Sequence, residues 1–126
     1  MQASRRTEPF RYLFVTPELC YFQIRELNGV VFGSKSAPAE LVDIHKSGCR
    51  IATPLDLRAA DHAIKLTLEL PFFAEGPLSV TGDVRWQQFE SDKFLYGIQF
   101  MADEHVKERI RAELRRLAGE RRIQAV

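Results

Sequence analysis

The chain is poor in most features that would announce a chemistry. It has two cysteines, Cys20 and Cys49, and no Cys-x-x-Cys pair. Neither a zinc knuckle nor a thioredoxin-like redox centre is therefore encoded. Two small buried thiols in a reducing compartment are the expectation. There is no HExxH, no Walker-type phosphate loop, no GxSxG and no GxGxxG, which removes the commonest hydrolase, nucleotidase and dinucleotide signatures. The histidines, His45, His62 and His105, have no metal-ligand spacing. No enzymatic activity, no metal and no cofactor are expected. An excess of one charge is also missing. Lys and Arg number 18 against 17 Asp and Glu, a net of +1, so no global field draws the chain to nucleic acid. The last helical stretch is rich in arginine but has no interleaved aromatics for base stacking. No apolar run approaches the roughly 18 residues a membrane helix needs. Met1 to Arg6 leads into no apolar segment of the kind a signal peptide carries. A cytoplasmic protein with no membrane insertion is expected.

What is present is ordinary globular material in 126 residues, with 45% hydrophobic and 28% charged. That length fits one domain with one core. Residues 1–9 are polar, end in Pro9 and read as a flexible arm bearing Arg5 and Arg6. Phe10 to Val15 favours β structure, and Pro17 is expected to interrupt it. Leu19 to Ile24 reads as a strand, and Asn28-Gly29 as a hairpin turn, because both residues tolerate positive φ. Ala39 to Ile44 and Cys49 to Thr53 flank a short turn. His62 to Leu70 alternates cleanly: Ile64, Leu66, Leu68 and Leu70 share one face. Leu78 to Trp86 and Phe94 to Phe100 repeat the period of two, with Gly82 in phase as a candidate bulge or bend and Gly97 out of phase. Phe72, Phe73 and Phe89 fall in loops as exposed apolar candidates.

Six strands of this kind predict an antiparallel barrel or sandwich. The period then changes. Val106, Ile110, Leu114 and Leu117 lie on one helical stripe, with Asp103 as N-cap, Gly119 as C′ residue and a pairing between Arg109 and Glu113. Residues 119–126 are expected to fray.

The turn between the second and third strands draws the attention. Asp43, His45 and Gly48 supply an acceptor, an imidazole and a residue without Cβ within six positions. An N-terminal arginine group, Arg5, Arg6 and Arg11, precedes it. This order, with Val84-x-Trp86, then Tyr96-Gly97-Ile98-Gln99-Phe100 and a helix, resembles the PilZ domain family over roughly residues 5–118. The resemblance implies a mostly β fold, a six-stranded antiparallel barrel of split-barrel type with a C-terminal helix, spanning 10–118. It also implies a receptor for the bacterial second messenger cyclic di-GMP, bound by Arg5, Arg6, Arg11, Asp43, His45 and Gly48. Ordering of the arm would relay the signal to a downstream protein. Asp43 would accept from guanine N1 and N2, and arginines would meet O6 and N7, phosphate or the base face. His45 stands where the family has serine, and Arg6 and Arg11 are five residues apart where its arginines are four apart. The alternative is an interaction module of the same family that no longer binds the nucleotide. Either a monomer or a homodimer fits.

Overall fold

The computed structural model describes residues 11–125. The order of elements is β1 (Tyr12–Leu27), β2 (Val30–Val31), β3 (Ala37–His45), β4 (Gly48–Thr53), β5 (Ile64–Leu70), β6 (Leu78–Glu90), β7 (Lys93–Met101), α1 (Glu104–Gly119) and β8 (Ile123–Ala125). Six strands, in the order β1-β3-β4-β7-β6-β5, close into an antiparallel barrel when β5 pairs back onto β1. The barrel and C-terminal helix are those expected. β2 and β8 are two further short strands, both paired with β1.

The period of two places the core. Leu66, Leu68 and Leu70 of β5 have no exposed area, and Ile64 has 3%. The three leucines share one core cluster with Leu41, Ile44, Ile51 and Tyr96 from the other strands. Tyr96 is wholly buried yet satisfied: its hydroxyl donates to Leu55 O at 2.6 Å and accepts from Leu57 N at 2.8 Å. That pair of bonds holds the segment after β4 against the barrel end.

Several local expectations are corrected. Pro17 does not end the first strand. β1 runs through it, and the ladder with β3 shifts register between Leu13 and Glu18, an irregularity that accommodates a residue with no N–H. Gly82 marks no bulge. It pairs in register with Leu66 and Phe100, and its missing Cβ makes room for Ile98 Cγ2. Phe73 is buried, Phe72 packs edge-on against Phe14, and Phe89 lies not in a loop but on β6, paired with Phe94; of the three it alone is broadly exposed.

The helix starts as expected, with Asp103 accepting from Val106 N at 2.9 Å. It ends differently. Gly119 is the last helical residue, and Arg121 takes the left-handed conformation at φ 59°. Glu113 does not pair with Arg109. It is buried against Arg116 and accepts from Ala74 N, while Arg109 donates to Gly76 O at 2.8 Å. These bonds fasten the helix to the 71–77 loop. The residues expected to fray form β8 instead: Ile123, Gln124 and Ala125 pair with Phe14, Leu13 and Tyr12. Ile123 is buried in the core cluster, and an apolar anchor of that size outweighs the fraying of a chain end. The 1–9 arm lies outside the described residues.

Candidate functional site

Two extra residues in the sheet decide what the site looks like. In β3, Leu41 pairs with Ile51 and Asp43 with Arg50, so Val42 is a bulge. In β6, Val84 pairs with Ile98 and Trp86 with Gly97, so Arg85 is a bulge. A one-residue insertion turns the following side chains to the other face. Leu41 and Ile44 both face the core, which puts Asp43 on the face of Arg50. Arg50 also pairs with Gly97. One cross-strand row thus runs Leu13, Asp43, Arg50, Gly97 and Trp86 across five strands.

A cavity of about 290 Å³ opens over this row. Arg11, Arg50 and Arg85 line it together with His45, Trp86 and Gln99. No Asp or Glu is among the lining residues. Three guanidiniums without a carboxylate in the wall make a site for a ligand rich in acceptors and negative charge. Trp86 supplies its flat surface. Its indole lies against the Gly97 backbone, filling the space where any other residue would carry a Cβ. One face is packed on Gly97, and the residue, 37% exposed, borders both this cavity and a neighbouring hollow beside Asp56 and Phe89.

The turn at the cavity edge is built by backbone bonds. Ser47 N donates to His45 Nδ1 at 3.3 Å, and Ser47 O accepts from Phe100 N at 2.8 Å. Gly48 has no positive φ. Its reason for being glycine is proximity: a Cβ there would stand 2.2 Å from Ile98 O on β7. It sets how closely β4 approaches β7 and does not itself line the cavity.

Of the residues anticipated from sequence, Arg11 and His45 line the cavity. Asp43 does not. It has no exposed area, and its Oδ2 accepts a hydrogen bond from Arg50 Nε at 2.6 Å and lies in ionic contact with Nη2 at 2.6 Å. Arg5 and Arg6 lie outside the described residues. Arg50, Arg85, Trp86 and Gln99 also line the cavity and were not anticipated. Arg50 was within reach, since alternation with the buried Cys49 and Ile51 turns it outward. Arg85 and Trp86 were not, because an unmarked bulge reverses their faces.

Both thiols are buried, although Cys49 backs the cavity wall. Burial, helped by Glu40, pushes the Cys20 thiol up to about 12. Burial, then Cys20 and Asp43, pushes Cys49 up as well. Among the described residues, no cluster of His, Cys, Asp and Glu is placed to hold a metal ion. None of the described helices is long and apolar enough to cross a membrane.

Comparison with solved structures finds the same fold in K. pneumonia MrkH in its apo state, with TM-score 0.63 and 21% identity over 92% of this chain and 53% of that one. A P2(1) crystal of K. pneumonia MrkH gives TM-score 0.63 and 20% identity over 92% and 51%. Borreliella burgdorferi PlzA, in complex with c-di-GMP, gives 0.47 and 12% over 86% and 52%. The chain spans about half the length of each. No curated protein matches it. The PilZ domain profile matches residues 6–118, nearly the whole length, and the chain therefore belongs to the PilZ domain family.

Proposed function

We propose that this protein is a cyclic di-GMP receptor that passes the signal to a partner protein. PilZ domains are, as a family, regulatory receptors for that nucleotide and not enzymes. The observation that carries the reading is the cavity itself: Arg11, Arg50 and Arg85 around the Trp86 indole, with no carboxylate in the lining. A cyclic dinucleotide offers two phosphates, guanine O6 and N7 acceptors and flat bases. Guanidiniums bond to the first two groups, and an indole stacks on the third. His45 takes the turn position at which the family has serine and offers a ring nitrogen or a second stacking face. Arg5 and Arg6 are assigned to the same ligand from the arm, whose closure is the change a partner reads. The setting is the cytoplasm of a bacterium, where the messenger is made.

Calorimetry with cyclic di-GMP tests this. Micromolar or tighter binding is expected. Loss of one charge-assisted contact in Arg11→Ala or Arg85→Ala should weaken it about tenfold or more. Arg6→Ala should weaken it too, and ligand should protect residues 1–10 from proteolysis. No heat and no thermal shift at high ligand would sink the reading.

One observation favours a second reading, that of an interaction module without nucleotide. Asp43, the acceptor the family motif offers to guanine, is buried and engaged by Arg50. In that case the exposed Phe89, whose ring lies tilted against Phe94 with centroids 4.9 Å apart, belongs to the contact surface. Phe89→Ser would then abolish partner capture while cyclic di-GMP has no effect.

A further inference from the structure

Asp43 is a buried carboxylate that the cavity does not touch. Its exposure is 0%, and Oδ1 has no hydrogen-bond partner among the described residues. Oδ2 is held by Arg50 through a hydrogen bond from Nε and an ionic contact with Nη2. A carboxylate with no accessible surface accepts nothing from a ligand lying outside the barrel wall. Arg50 is placed differently. Its side chain is 28% exposed and lines the cavity. A guanidinium carries five N–H donors. With Nε–H bonded to Asp43 and Nη2 in ionic contact with the same oxygen, both hydrogens of Nη1 remain for the cavity side.

The neighbours show why such a tether matters. Arg11 and Arg85 line the same cavity, and three like charges in one hollow repel each other. An untethered arginine there would swing toward solvent, where its charge is hydrated and its rotamers are numerous. A buried anion directly across the strand pair holds the fork in one orientation. The Val42 bulge is what puts that anion on the right face.

We infer that Asp43 is a positioning residue: it acts on the ligand only through Arg50, and Arg50 is the group that meets the ligand. The inference rests on the cyclic di-GMP reading above. It reverses the chemistry expected at this place in the barrel. The strand pair offers donors in a fixed fork to phosphate oxygens or to guanine O6 and N7, where an acceptor for guanine N1 and N2 had been anticipated.

The test is a double-mutant cycle with Asp43→Asn and Arg50→Lys, read by calorimetry with cyclic di-GMP. Lysine keeps a cation opposite the buried carboxylate, so the barrel is not left with an unpaired charge, and it lacks the fork. Each single variant should weaken binding about tenfold, and the double variant should match Arg50→Lys within about twofold. Losses that multiply would mean that Asp43 meets the ligand itself; they overturn the inference and leave the proposed function standing. If the wild type gives no heat with cyclic di-GMP, the same cycle is run with inorganic pyrophosphate. Non-additive losses there keep the inference and sink the nucleotide reading, whereas no pyrophosphate binding overturns both. A ligand-independent readout accompanies either probe. The Arg50 Nε–H resonance should be shifted and slow to exchange in the wild type and should move to the free-arginine position in Asp43→Asn. A free-arginine position in the wild type overturns the tether.

Discussion

The indole of Trp86 occupies the side-chain space of Gly97: a Cβ on Gly97 would stand 2.2 Å from Trp86 Nε1 and Cε2. The two residues are cross-strand partners on β6 and β7. The glycine has no side chain to pack, and the tryptophan packs in its place. The contact fixes the ring that forms one wall of the cavity.

Gly97→Ala should therefore displace the ring. Trp86 is the only tryptophan, so intrinsic fluorescence reports the change without ambiguity. A red-shifted emission is expected, with weaker cyclic di-GMP binding and a stability loss of about 1–3 kcal/mol from overpacking. Unchanged emission would mean that the ring is not seated there.

Gly48→Ala tests a different contact. The obstacle is a backbone oxygen, Ile98 O, which cannot rotate away. The variant should lose about 3 kcal/mol in urea unfolding, at the upper end of overpacking costs. Gly33→Ala is the control. Nothing lies within 4 Å of its added Cβ, and its φ is not positive, so a gain of about 0.4–1 kcal/mol is expected.

Ile123 measures the worth of the last strand. It is 6% exposed and packed in the core cluster. Ile123→Ala should cost about 2–5 kcal/mol, as a buried large-to-small change does. A frayed end would register nothing.

The thiols give a pH test. Cys20, at about 12, and Cys49, also raised, stay protonated in the fold, while the unfolded thiols ionise near the ordinary value of 9.0. The folded state holds more protons in that window, so stability falls as pH rises from about 9 toward 12. The urea midpoint should be lower at pH 10 than at pH 8. Thiol reagents at pH 8 should label neither cysteine until the protein is unfolded.

The strands of the barrel were legible because their core faces alternate strictly, as in Ile64 to Leu70. The helix was legible from its apolar stripe and from Asp103. β8 was not, because three residues carry too little pattern, and what holds them is Ile123 reaching a core built by distant strands. Of the residues the family resemblance names, Arg11 and His45 line the cavity, whereas Asp43 faces Arg50. Its neighbour across the strand is set by a bulge at Val42, a residue with nothing in its type to mark it. Arg85 hid Trp86 in the same way.

The outermost rung of the β1–β8 ladder joins Tyr12 to Ala125, next to Arg11 in the cavity wall. Both ends of the described barrel therefore leave from one place, at the cavity mouth. A fluorophore on Ala125 would sit within sight of any ligand there, a reporter position that leaves every lining residue intact. A load applied through the two ends would open one three-residue ladder like a zipper, starting at that mouth.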